Sequence, residues 1–172
     1  MSVNLGFWPA HPNPADSRQY LREEELDRFA ALVWTASLNL QHCVRRSQHA
    51  QKLPDTQFLI LACATAEPEL PLMRLRLLLG QTKQSLQGHL DDMEAKDWLM
   101  RRPHPRDKRC RIVQLTPQGH AIYGEVLAEA RDRLAKILRI SGAETVLAMR
   151  DNLTRLGQMR SAPVAKPEPS QG

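Results

Sequence analysis

The chain has 172 residues, 42% of them apolar and 25% charged, the make-up of one globular domain with a core and short tails. Three cysteines (Cys43, Cys63 and Cys110) with no CxxC pair exclude a disulfide framework and a structural zinc site, and no metal or other cofactor is expected. The net charge of +5 says little alone; where it sits along the chain says more.

The opening stretch, MSVNLGFWPAHPNPADS, has neither a basic n-region nor a continuous apolar run, so it does not read as a secretion signal. The most apolar internal stretch, Phe58 to Ala66, is too short to cross a bilayer, and the expectation is a soluble, cytoplasmic protein. Residues 1–16 hold three prolines and no apolar period, yet Phe7 and Trp8 suit an arm that packs on a neighbouring subunit. One domain is expected over 17–160, and 161–172 has the composition of a disordered tail.

Leu26, Phe29, Val33, Ala36, Leu40 and Val44 recur at helical spacing and predict a first helix from Glu23 to about Arg46. Pro54 fits the first position of a second helix that stops near Pro68. A third helix fits Leu72 to Leu79 and ends at Gly80, a natural left-handed cap. Thr82 then caps a fourth helix, Lys83 to about Lys96. Helix, glycine turn, helix is the unit used to read a DNA groove, though many helical proteins contain such corners.

Trp98 to Arg102 and Arg111 to Leu115 read as two short strands joined by the polar connection PHPRDKR. From Arg101 to Arg111 six basic residues face one acid, so this stretch alone carries the chain's whole +5 excess. A cationic hairpin placed directly after a helix-turn-helix is a wing, and its anionic partner is nucleic acid. Thr116 and Pro117 start a long helix on which Tyr123, Leu127, Ala130, Leu134 and Ile137 follow a seven-residue repeat. A last helix, about Ala143 to Met159, carries Val146, Met149, Leu153 and Leu156. The fold class expected is mainly α with a small β-hairpin wing. The winged helix occupies about 54–116, and helices at about 20–48 and 117–160 offer more apolar face than that core could cover. They are therefore assigned to a dimerisation lobe.

This order of elements resembles the MarR family of winged-helix transcriptional regulators over roughly Leu26 to Leu156. The strongest segment is LPLMRLRLLLGQTKQSLQGHLDDMEAKDWLMRRPHPRDKRCRIVQLTPQG, with TKQSL in the helix-turn-helix and RRPHPRDKRCRIVQLTPQG across the wing and next helix start. LREEEL near residue 21, TKQSL and SGAETV near residue 141 are similar to the subgroup typified by PetP and the L,D-transpeptidase regulator. Two departures stand out: Asp97 where such families commonly place glycine after the recognition helix, and Gly88 inside that helix. The resemblance implies a homodimeric repressor on a pseudo-palindromic double-stranded operator. It also implies a cleft between dimer helices and reading lobe where a small ligand modulates affinity.

Within the fourth helix, Leu86, Leu90 and Met93 share the core side, which leaves Gln84, Gln87, Gly88 and Asp91 on or near the other. Glutamine can pair with adenine N6 and N7, so Gln84 and Gln87 are the base-reading candidates. Thr82, Lys83, Ser85 and His89 suit phosphate contacts, the first three at the helix N-terminus. Gly88 costs about 1 kcal/mol of helix propensity against alanine, which close approach of DNA to the backbone would explain. In the wing, Arg102, Arg106 and Lys108 are phosphate candidates, and strand alternation sends only one of Arg101 and Arg102 outward. The resemblance implies that Asp107 orients Arg109 for insertion into the minor groove.

For a ligand, Trp34, His42 and Arg46 are candidates on the first helix, against the plainer readings of a core tryptophan and a solvated edge. Cys43 and Cys110 lie beside arginines that could lower a thiol pKa, so a thiol-based redox regulator is an alternative. His42, Cys43 and His49 make no convincing metal set. GxSxG, HExxH, P-loop and dinucleotide fingerprints are all missing, which disfavours an enzyme. A winged-helix module for protein partners is the remaining alternative, disfavoured by the basic wing.

Overall fold

The computed structural model describes residues 22–159; the arm with Phe7 and Trp8 and the tail at 161–172 lie outside the described residues. Helix α1 (Glu23–Ala50) begins with Glu23, Glu24 and Glu25, whose charges oppose the positive end of the helix dipole. It runs four residues past Arg46 because Gln48 is buried and satisfied, its Nε2 donating to Leu53 O (3.1 Å) and Asp55 Oδ1 (2.7 Å). Helix α2 (Asp55–Ala66) follows. Pro54 is its cap rather than its first residue, with ψ at 147°, and its carbonyl accepts from Phe58 N.

A two-residue strand β1 (Leu70–Pro71), absent from the sequence expectation, leads into helix α3 (Leu72–Leu79). That helix stops at Gly80, whose φ of 60° is the left-handed conformation that glycine adopts freely. Helix α4 (Lys83–Ala95) is capped by Thr82, whose hydroxyl accepts from Ser85 N at 3.2 Å. Strands β2 (Leu99–Pro103) and β3 (Arg111–Leu115) then form the hairpin. The sheet is antiparallel in the order β1-β3-β2, with Leu70 opposite Val113 and Arg101 opposite Val113 from the other side. Helix α5 (Pro117–Ser141) and helix α6 (Ala143–Gly157) complete the chain. No helix among the described residues is long and apolar enough to cross a membrane.

The described residues divide into two compact units at Ala130. In the first, Ile60, Leu61, Leu75, Leu90, Met93, Leu99, Val113 and Val126 are fully buried and form one core drawn from α2, α3, α4, the sheet and α5. Of the six apolar positions on α1, only Val44 enters it. Leu26, Phe29 and Leu40 stay exposed, as does Trp34, which is 72% accessible and so not a core tryptophan within this chain. In the second unit α6 buries no residue, and Leu147, Met149, Leu153 and Leu156 face outward.

Candidate nucleic-acid interface

The candidate surface begins with the buried side of α4. Leu86, Leu90 and Met93 are all at or below 2% exposure, and this fixes the helix's rotation on the core. Gln84, Gln87 and Gly88 are consequently exposed, as are Thr82, Lys83 and Ser85 in the first turn, while His89 is half-buried. Ser85 also donates its hydroxyl to Gln81 Oε1 at 2.8 Å, which ties the turn to the helix start. An alanine Cβ at Gly88 would meet nothing within 4 Å, so packing inside the molecule does not demand this glycine.

The far end of α4 is closed by Asp97 in the left-handed region (φ 55°). Trp98 N donates to Met93 O at 2.9 Å and Asp97 N to Glu94 O at 3.0 Å, the paired bonds of a Schellman stop. Aspartate thus does what glycine commonly does there, at a cost of about 1 kcal/mol in backbone strain. The same turn anchors the wing. The Thr116 hydroxyl donates to Asp97 O and accepts from Gly119 N, and Thr116 N donates to Trp98 O.

In the hairpin, alternation separates the two arginines of β2. Arg102 is exposed, whereas Arg101 turns back onto α4 and donates Nη2 to Asp91 Oδ1 (2.7 Å) and to Glu94 Oε2. Its backbone N–H also reaches Glu94 Oε1 at 2.8 Å. The acidic run on α4 is therefore engaged: Asp92 accepts from Lys96 and from the buried Gln57 of α2, both at 2.6 Å. The Lys96 and Gln57 hydrogen bonds hold the Asp92 carboxyl below its ordinary pKa, and the Arg101 guanidinium does the same for Glu94. A depressed carboxyl stabilises the fold above its unfolded titration range, and that contribution disappears as pH falls through the folded value. We therefore expect thermal melts of the wild type and Glu94→Gln to differ at neutral pH and to converge well below pH 4.5, the group's ordinary value.

At the tip, Arg106, Asp107, Lys108 and Arg109 are all exposed. Asp107 bonds to one backbone group and one side chain: its Oδ1 accepts from Arg109 N at 3.0 Å and its Oδ2 from the Cys110 thiol at 3.3 Å. The carboxylate shapes the turn that presents Arg109, because an aspartate two residues upstream readily closes an Asx turn. His104 completes it, Nδ1 accepting from the backbone N–H groups of Arg106 and Asp107, each at 3.2 Å. Sequence reasoning passed over His104, and its place between two prolines in PHPRD was the available signal.

Of the two redox candidates, Cys110 departs from expectation. Cys43, Cys63 and Cys110 are free thiols. The hydrogen bond to Asp107, not the flanking arginines, dominates at Cys110 and pushes its thiol above the ordinary value, which lowers rather than raises its reactivity. Burial does the same at Cys63. Cys43 is half-buried on α1. The ligand candidates Trp34, His42 and Arg46 are all exposed on α1. An open dent between α1 and α2 is lined by Gln41, Val44, Arg45, Gln48 and Phe58, among others.

A glycine-ended helix, a capped second helix, a three-stranded sheet and a cationic hairpin together define a winged helix-turn-helix. Residues 51–109, which hold most of it, match the model of the MarR family. Among curated relatives, the chain is similar to the transcriptional repressor MprA of Escherichia coli, 30% identical over 80 residues, or 45% of this chain and 46% of that one. The matched stretch thus spans about half the length of that relative. It is also similar to the HTH-type transcriptional regulator MhqR of Bacillus subtilis, 22% identical over 137 residues, or 80% of this chain and 94% of that protein. The fold is that of the NadR structure solved with 4-hydroxyphenylacetate, with a TM-score of 0.60 at 23% identity over 74% of this chain and 91% of that one.

Proposed function

We propose that the chain is a sequence-specific double-stranded DNA-binding regulator that works as a homodimeric repressor. The observation that carries this reading is the outward tract on the first unit: Gln84, Gln87 and Gly88 on α4, with Arg102, Arg106, Lys108 and Arg109 on the hairpin, all exposed. The glutamines suit adenine edges in the major groove, Lys83 and Ser85 suit phosphate beside the helix N-terminus, and the tip arginine suits the minor groove. Selection of sites from random DNA with the purified protein should enrich a pseudo-palindrome, with affinity falling steeply as salt rises. Recovery of unenriched sequence, or binding insensitive to salt, overturns the proposal.

A second copy is the occupant proposed for the exposed apolar faces. Leu26, Phe29, Leu32, Trp34 and Leu38 are all outward on α1, more apolar surface on one helix than a lone soluble chain usually displays. Phe29→Glu should convert a dimer into a monomer by sedimentation and weaken operator binding at least about 10-fold, because two linked half-sites become one. A dimer unaffected by Phe29→Glu would move the interface elsewhere. Modulation by a small ligand belongs to the same reading, and the dent lined by Gln41, Arg45 and Gln48 offers polar groups beside the ring of Phe58.

Gly88→Ala separates the fold from the interface. With open space at the Cβ position, alanine should stabilise the helix by about 1 kcal/mol in a denaturant titration. Operator affinity should fall at the same time, since the methyl group stands where DNA is to approach. Unchanged affinity would mean that the backbone at Gly88 stays clear of the duplex.

A further inference from the structure

The carboxamide of a glutamine is a poor discriminator when free to turn over. With Oε1 and Nε2 exchanged it can donate both hydrogens to the two acceptors of guanine or pair with adenine's donor and acceptor. Gln87 is not free. Its Nε2 donates to Asp91 Oδ1 at 2.8 Å, one helical turn along the same exposed face of α4. That bond fixes which end of the amide is nitrogen and occupies one of its two hydrogens. What remains outward is one N–H and one carbonyl oxygen, the complement of adenine N7 and N6. Against guanine the same oxygen would oppose O6.

A carboxylate on a DNA-facing helix needs a counter-charge, and Arg101 supplies it. From β2 it reaches Asp91 Oδ1, the same oxygen that receives Gln87, while its other contact is Glu94. Arg101 is itself only 20% exposed, so the chain of contacts from Glu94 through Arg101 and Asp91 to Gln87 starts on a held group and ends on a reading one.

The geometry points to Asp91 as the positioning residue that makes Gln87 selective for an A·T pair, with Arg101 holding Asp91 in place. This rests on the reading that Gln87 faces the major groove. The test uses the intact protein and its selected operator, and begins by finding the base pair whose preference is lost in Gln87→Ala. At that pair the ratio of A·T to G·C affinity, about 10-fold or more for a bidentate contact, should fall to about 2-fold in Asp91→Ala. Asp91→Asn, which keeps an accepting oxygen, should retain the ratio, and Asp91→Ala should change nothing further in the Gln87→Ala background. Asp91 is 54% exposed, so these variants leave the core alone, and removing its charge raises general DNA affinity without bearing on the ratio. Arg101→Met should lower the ratio too, and an unchanged ratio there removes Arg101 from the inference. A ratio preserved in Asp91→Ala but lost in Gln87→Ala overturns the inference alone. If Gln87→Ala alters no preference, Gln87 does not read the groove and the inference falls with it, while DNA binding itself stands.

Discussion

Replacing Gly119 with alanine should destabilise the protein by about 3 kcal/mol or more, the largest loss expected from removing no existing contact. A Cβ at Gly119 would lie 1.8 Å from the carbonyl oxygen of Trp98 and 2.8 Å from its carbonyl carbon. Both are backbone atoms, and the oxygen is already fixed as the acceptor of Thr116 N at 3.1 Å. No rotamer can relieve such an overlap; the first turn of α5 must draw away from the end of α4. That retreat parts Thr116, only 3% exposed, from Trp98 O and Asp97 O, leaving buried polar groups unpaired at about 1–3 kcal/mol each. Alanine's better helix propensity returns only about 1 kcal/mol. For a chain of this size the melting temperature should drop by roughly 6 °C or more, and operator affinity should fall too because Thr116 anchors the root of the wing. A melt within about 2 °C of the wild type would show that the turn yields easily. Gly88→Ala is the matched control: also a helical glycine, opposite in sign for stability.

The contrast between those glycines marks what the sequence can disclose. The limits of α3 and the start of α4 follow from local chemistry, since Gly80 is left-handed and Thr82 caps, and both signals lie within a few residues of the event. The outward turn of Arg102 follows from strand alternation. Strand β1 does not, because two residues carry no period and its partners, Ile112 and Val113, lie some forty residues on. Nor does the burial of Gln48, a polar residue held by acceptors on the following loop and at the start of α2. At Cys110 the sequence shows two neighbouring arginines, yet the hydrogen bond to Asp107 pushes the thiol's pKa up. Charge counted along a chain is a guide to fields, not to contacts. The same limit hid the role of Asp91, which looks like a polar flank until the fold brings Arg101 across to it.

Arg109→Ala should lower operator affinity by about 10-fold or more while leaving the fold and the oligomeric state as they are. The side chain projects from an exposed turn, and among the described residues the structure records only its backbone N–H in a hydrogen bond, to Asp107. Its removal therefore costs the free protein little. In a narrow minor groove the guanidinium would meet concentrated negative potential, whereas a lysine would bring a more strongly hydrated point charge, so Arg109→Lys should recover only part of the loss. Arg106→Ala and Lys108→Ala, as phosphate contacts, should weaken all sequences alike and reduce the slope of log affinity on log salt by about one each. Asp107→Ala is the discriminating variant. If the carboxylate acts through the turn, its loss should slacken the tip and lower affinity even with all the wing's cations in place, whereas its lost negative charge alone would raise affinity. A titration in which Asp107→Ala binds more tightly, with Arg109→Ala unchanged, would leave the wing as a diffuse electrostatic patch and remove the shaped turn from the mechanism.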